Sequence, residues 1–141
     1  MAMKTECQIK LQDGKRIGYA ELQSFGIDPA SVDPRNLGIY GNGGRMLSES
    51  TSQPRPDDLV ENSIMVSGEE DGVFDPEDYI LFYAEGTLRW NYSPFFQKFE
   101  HEVNIYTDKI YYFLTVGSSP GKRISSVNPP SGNRFYRLNK P

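Results

Sequence analysis

The feature that most constrains the fold of this sequence is an acidic turn followed by a short, uninterrupted apolar run. The turn, residues 69–78, contains Gly72 and Pro76 among short acidic side chains that can accept hydrogen bonds from nearby amides. The run Tyr79–Tyr83 has no polar face and is too short for a helix, but it has about the length of a strand. We therefore expect a central strand that is covered on both faces and pairs with other strands of the chain.

The composition favours many short strands over long helices. The 141 residues include 9 Tyr, 8 Phe, 13 Gly and 10 Pro, a mixture of β-prone residues and residues that end regular structure. A chain of this length can bury about two-thirds of its unfolded surface as one domain. We predict an all-β, sandwich-like (jelly-roll-like) domain of about seven or eight strands. One short helix is expected where Tyr19, Leu22 and Phe25 recur before Gly26.

Charge and hydropathy exclude several kinds of partner. The net charge of -4 gives no positive field that would attract nucleic acid. No apolar run is long enough to span a membrane, and the one cysteine, Cys7, excludes an internal disulfide. We expect residues 1–141 to be a single domain excised from a longer protein, with residues 128–141 forming a linker or a last strand.

Three further segments have patterns that predict structure. Residues 5–12 place Cys7, Ile9 and Leu11 on one side of a half-buried strand, which we expect to end in a turn at Asp13-Gly14. Residues 60–66 alternate as a second strand would. Residues 90–99 are rich in aromatic side chains but contain Pro94, and we interpret them as a loop.

The acidic turn is a candidate calcium site. Asp71, Asp75 and Asp78, with Gly72 after the first of them, match the second half of a twelve-residue calcium loop. The first half matches poorly, because Ser67 and Glu69 stand where short Asp or Asn is expected. The alternative is a structural turn in which Asp71 and Asp75 accept backbone N–H groups and Gly72 takes a positive φ.

Aromatic and glycine residues form the other candidate sites. Trp90, Tyr92, Phe95 and Phe96 could stack on a sugar or anchor a protein partner, or they could cap the open end of the core. Gly43 and Gly44, in a run of glycines, could also contact a partner or serve only for close packing. Catalysis has little support, because the sole Cys/His pair would be Cys7, on an apolar strand face, and His101, in a charged segment.

Several segments, in order, resemble the N-terminal region of PorU-type sortases, the gingipain-like cysteine peptidases of the Bacteroidetes type IX secretion system. The segments are Tyr40-Gly41-Asn42-Gly43-Gly44, residues 55–62, the long block 71–86, residues 104–106 and residues 111–114. Arg45-Met46-Leu47-Ser48 departs from the Leu-Pro that usually follows the glycine run of that family.

The resemblance implies an accessory role. This chain would be the non-catalytic leading domain of an exported, outer-membrane or cell-surface enzyme that removes C-terminal sorting signals from secreted cargo. No catalytic residue carries over, because the family's catalytic Cys and His lie in a later domain. The implied partners are the downstream peptidase domain, cargo proteins or other secretion components. The alternative is a stand-alone β module that is stabilised by calcium or binds glycans.

Overall fold

A computed structural model describes residues 13–125 of the chain as a mostly β domain. Within that range there are eight strands, one short helix, α1 at Tyr19–Ser24, and two single-turn 3-10 helices at Pro29–Ser31 and Pro34–Asn36. The strands are β1 Asp13–Gly18, β2 Leu37–Tyr40, β3 Glu61–Asn62, β4 Ile64–Ser67, β5 Tyr79–Ala84, β6 Leu88–Ser93, β7 Lys98–Val103 and β8 Phe113–Val116. The all-β, sandwich-like fold with about eight strands and one short helix is confirmed. The strand predicted at residues 5–12 and the segment 128–141 lie outside the described residues.

The strands form three antiparallel sheets. The first has the order β1-β5-β4 and the second the order β3-β2-β8, while β6 and β7 pair with each other as a hairpin. The first sheet is centred on the apolar run found in the sequence, and β5 lies between its two neighbours. The expectation that this run pairs with other strands is confirmed.

One apolar core joins the first two sheets. Inward side chains of β5 and β4 pack with those of β2 and β8, and α1 contributes a fully buried Leu22. Phe82 of β5 meets Tyr112, which precedes β8, edge to face with 5.4 Å between ring centroids. The core residues are Ile17, Leu22, Val32, Leu37, Ile39, Ile64, Val66, Phe74, Ile80, Phe82, Ala84, Ile110, Tyr112 and Leu114.

The expectation that both faces of β5 are covered is wrong. Ile80, Phe82 and Ala84 are buried, but Tyr83 on the other face is 56% exposed. The outer face is only partly covered, by side chains such as Arg16, whose guanidinium lies 4.6 Å from the centre of the Tyr79 ring. The uninterrupted apolar run therefore reflects aromatic residues on a half-open face and not a strand buried between two layers.

Two strand boundaries also differ from those expected. Asp13 and Gly14 begin β1 instead of forming a turn, because they pair with Ala84 and Tyr83 at the end of β5. Residues 60–66 are not one strand. Glu61–Asn62 pairs with β2 and Ile64–Ser67 with β5, so the chain passes from the second sheet to the first at Ser63.

The segment after β8 fastens the two sheets together. The Ile64 N–H donates to the Lys122 carbonyl at 3.1 Å, and the Ile124 N–H donates to the Ile64 carbonyl at 2.9 Å. The Gly121 N–H donates to the Arg35 carbonyl at 3.0 Å, just before β2. Residues 121–124 thus bond both to the segment that leads into β2, in the second sheet, and to β4, in the first sheet. These bonds hold the two sheets together as one body.

Candidate functional site

The aromatic segment is a β-hairpin and not the loop that the sequence indicated. In β6 and β7, Trp90 lies opposite His101 and Tyr92 lies opposite Phe99, with Leu88 opposite Val103 at the base. The tip at residues 94–97 turns with a positive φ of 51° at Gln97. The strict alternation of side chains in a strand therefore collects Trp90, Tyr92 and Phe99 on one face of the hairpin.

The rings on this face touch one another across the hairpin. Trp90 packs against His101, and the centroids of Tyr92 and Phe99 are 5.3 Å apart. At the tip, Phe95 and Phe96 meet edge to face at 4.9 Å, and the Lys98 ammonium lies 5.2 Å from the centre of the Phe96 ring. Trp90, Tyr92 and Phe99 thus share one face of the hairpin, and Phe95 and Phe96 lie at its tip. We call these five rings, Trp90, Tyr92, Phe95, Phe96 and Phe99, the aromatic surface.

The aromatic surface is open to solvent. Phe95 is 87% exposed, and every other ring in it is more than half exposed. The sequence alternative in which these rings cap the core is therefore wrong for the domain as described. A soluble protein rarely leaves so many adjacent rings uncovered unless they bind something.

The opposite face of the hairpin is charged and polar. The Lys98 ammonium lies 3.3 Å from a Glu100 carboxylate oxygen, and the Asn91 side-chain amide donates to the Glu102 carboxylate across the strands. Such a face is stable in water, so the two faces differ sharply in character. The hairpin is amphipathic, and its apolar face is the one that lacks a cover among residues 13–125.

Asn104 and the glycine loop, residues 41–44, fix the base of the hairpin. The Asn104 N–H donates to the Thr87 carbonyl at 2.8 Å, and its side-chain amide donates to the Gly44 carbonyl at 3.0 Å. Gly44 packs so closely against the Gly86 carbonyl and Ile110 that a Cβ would clash with both. Gly44 thus has a packing role at the hairpin base, whereas contact of Gly43 or Gly44 with a partner stays a prediction.

An open cavity of about 380 Å³ lies beside the glycine loop. Gly41, Gly43, Tyr83, Glu85 and Tyr112 are among the residues that line it. Burial raises the pKa of the Tyr112 hydroxyl, which donates to the Glu85 carbonyl at 3.3 Å, so this phenol stays protonated at neutral pH. The cavity therefore presents the neutral, buried Tyr112 phenol beside an ion pair in which the Arg45 guanidinium lies 3.4 Å from a Glu85 carboxylate oxygen.

The acidic turn forms its own hydrogen bonds. Asp71 accepts the Val73 N–H at 3.0 Å, as the structural interpretation expected. The second acceptor is Asp78 and not Asp75, because the Asp75 N–H donates to the Asp78 carboxylate at 2.8 Å. Gly72 has a φ of +81°, which confirms the predicted positive φ. Among the described residues, no three acidic, histidine or cysteine side chains converge as metal ligands. Calcium binding by Asp71, Asp75 and Asp78 therefore stays a prediction without a preformed cluster.

The remaining sequence candidates are dispersed. His101 lies on the hairpin against Trp90, and Cys7 is outside the described residues. Phe99, the last residue of the aromatic segment 90–99 that the sequence singled out, lies opposite Tyr92 and belongs to the same face. The sequence signal for the hairpin was the alternation of ring-bearing and polar residues on both sides of Pro94, which stands at the turn. No helix among residues 13–125 is long and apolar enough to cross a membrane.

Comparison with solved structures shows a likeness to part of a known protein. No protein-family model matches the chain, and no curated protein matches it. The crystal structure of dimeric latent PorU from Porphyromonas gingivalis is similar, with 27% sequence identity and a TM-score of 0.63. The similarity covers 83% of this chain and 10% of that chain, so this chain spans about a tenth of the PorU it matches. The likeness supports a PorU-like domain.

The geometry of the turn predicts the effect of replacing Gly72. Gly72→Ala should lower the free energy of unfolding by about 1 kcal/mol, because alanine is strained at positive φ. Its Cβ would also lie 2.6 Å from an Arg35 guanidinium nitrogen. Urea unfolding measures the change. Gly117→Ala is the matched control, since its Cβ would meet only ordinary contacts at 3.4 Å or more. Equal stability of both variants and wild type would contradict the turn geometry.

The calcium prediction has a separate test. If the turn binds calcium, millimolar calcium should raise the melting temperature, and Asp75→Ala should remove that rise. Differential scanning fluorimetry with and without calcium measures both. A melting curve that calcium leaves unchanged rejects the site.

Proposed function

We propose that this chain is a non-catalytic accessory domain of a larger PorU-like protein, and that it docks onto the peptidase domain of that protein through the aromatic surface. The parent is a gingipain-like cysteine peptidase and sortase, exported to the outer membrane or cell surface, that processes the C-terminal sorting signals of cargo. The likeness to a tenth of a PorU chain supports a multidomain parent.

The observation that carries the proposal is the open aromatic surface. With about 200 Å² for a whole ring, five rings that are each more than half exposed present roughly 600 Å². That is at the upper end of the largest apolar patches on monomeric proteins, which are often functional. It approaches the roughly 800 Å² that one partner contributes to an interface of standard size. The area therefore fits a protein partner.

The kinds of ring favour a protein over a sugar. Three of the five residues, Phe95, Phe96 and Phe99, have no polar atom with which to bond sugar hydroxyls. Trp90 and Tyr92 carry such atoms, but the phenylalanines form the tip and much of the exposed area. Burying these rings against an apolar partner surface gains free energy without leaving polar groups unpaired. Glycan binding is the weaker alternative.

The shape of the aromatic surface favours a partner that lies alongside the hairpin. The rings extend from Trp90 near the base to Phe95 at the tip, and a six-residue strand such as β6 is about 20 Å long. A neighbouring domain can contact that whole length. A peptidase domain on the same polypeptide is also always present at high effective concentration, so a modest patch suffices for stable docking.

Binding in trans tests the proposal. The chain should bind the separately produced peptidase domain of its parent, and Tyr92→Ser should weaken the affinity about tenfold or more, as loss of an interface anchor does. Tyr83→Ser is the matched control, because the exposed fractions of the two side chains are nearly equal, 56% for Tyr83 and 54% for Tyr92. Tyr83 differs in its location, since it lies on β5 and not on the hairpin. Isothermal titration calorimetry gives both affinities.

Two results would contradict the proposal. One is no binding by the wild-type chain, and the other is equal weakening by Tyr92→Ser and Tyr83→Ser. Saturable binding of a soluble oligosaccharide that Trp90→Ala abolishes would favour the glycan alternative.

A further inference from the structure

A histidine lies on the same face of the hairpin as the aromatic rings. His101 stands directly opposite Trp90 in the pairing of β6 with β7, so its side chain points to the same side as those of Trp90 and Tyr92. The imidazole and indole rings are in contact, with 3.6 Å between their centroids and an angle of 64° between their planes. His101 is the only histidine of the chain, and it belongs to the face that we propose to dock.

The charged groups of the two paired strands lie on the other face. Glu100 and Glu102, the neighbours of His101 in β7, point away from it because side chains alternate along a strand. Arg89 of β6 stands opposite Glu102 on that other face. Lys98 shares it, and its ammonium lies 3.3 Å from a Glu100 carboxylate oxygen.

His101 is the one residue on the aromatic side of these paired strands whose charge changes near neutral pH. The other paired residues on that side are Leu88, Trp90, Tyr92, Phe99 and Val103. Among them only the Tyr92 phenol can titrate, and phenols keep their proton at neutral and mildly acidic pH. An ordinary histidine, by contrast, gains or loses its charge between about pH 5 and about pH 8.

Docking changes the surroundings of His101. In the free domain the residue is exposed, so water can solvate the imidazole in either protonation state. Trp90, which the imidazole touches, is 57% exposed, and a partner that covers the indole also comes against the imidazole. Burial of a charged group in an apolar contact costs free energy, whereas burial of a neutral imidazole costs much less. A group that must lose its proton to be buried weakens binding as the pH falls.

We propose that His101 makes docking through the aromatic surface dependent on pH. The neutral imidazole is buried together with the rings, and the protonated imidazole opposes docking. The domain is therefore held more tightly at neutral pH than in a mildly acidic medium. This inference rests on the proposed docking to the peptidase domain and adds regulation to that same surface.

The affinity at two pH values tests the inference. From about pH 7.5 to about pH 5.5 the dissociation constant should rise about tenfold, because an ordinary histidine is about nine-tenths protonated at the lower value. In His101→Gln, whose side chain is neutral at both pH values, this rise should disappear. Isothermal titration calorimetry with the separately produced peptidase domain gives the ratio of the two constants. Each protein is compared with itself, so an effect of the substitution on affinity at neutral pH does not enter.

Glu100→Gln is the matched control. Glu100 directly precedes His101 in β7 but lies on the charged face, so this variant should keep the wild-type ratio. Loss of the ratio in both variants would overturn the inference.

Three other results separate the inference from the docking itself. Equal affinity of the wild-type chain at both pH values, or a wild-type ratio in His101→Gln, overturns the inference and leaves docking in place. Tighter binding at the lower pH that His101→Gln removes also overturns it, since a carboxylate of the partner must then face the imidazole. Absence of binding at both pH values contradicts the docking and, with it, the inference.

A measurement without a partner tests the ring contact on which the inference depends. The chain has one Trp and one His, so its tryptophan fluorescence reports on Trp90 alone. A protonated imidazole in contact with an indole quenches the fluorescence of that indole. The emission should therefore fall between about pH 7.5 and about pH 5.5, and the fall should be absent in His101→Gln. Constant emission of the wild-type chain, or an equal fall in both proteins, would overturn the inference.

Discussion

The body of this domain, which consists of the two three-stranded sheets and their common core, depends on the hydrogen bonds of the Arg123 guanidinium. It donates to the carbonyls of Pro34, Arg35 and Leu37 at 3.0, 2.8 and 3.1 Å, and its Nε lies 2.8 Å from a Glu69 carboxylate oxygen. One side chain thereby joins the entry to β2, the acidic turn before β5 and the segment after β8. Only a planar group with several fixed donors can satisfy all these acceptors together, so lysine could not replace it.

This arrangement separates a closed body from an open hairpin. The bridge between Ile64 and residues 122–124 and the common core hold the two three-stranded sheets together. The hairpin contributes no residue to that core, and Asn104 fastens its base. Rings that would normally be buried are thus exposed on an element outside the core, as is expected of a binding element on a stable support.

Local patterns in the sequence predicted the elements whose structure depends on near neighbours. The turn at Gly72 and the helix before Gly26 each follow from a few adjacent residues. The hairpin was missed because Pro94 and consecutive phenylalanines mask its alternation. The Arg123 contacts could not be foreseen, because their partners are 54 to 89 residues away in sequence. Exposure of the rings was one of two alternatives, and the sequence did not decide between them, since apolar alternation ordinarily predicts burial.

Native-state hydrogen exchange tests most directly whether a closed body carries a separate open hairpin. The amides of β5, together with those of Ile64 and Ile124, should exchange only through global unfolding. The amides of β6 and β7 should exchange through a smaller opening of lower free energy, with a weaker dependence on denaturant. Hairpin amides as strongly protected as those of β5, or release of the Ile124 amide before β5 opens, would contradict the account.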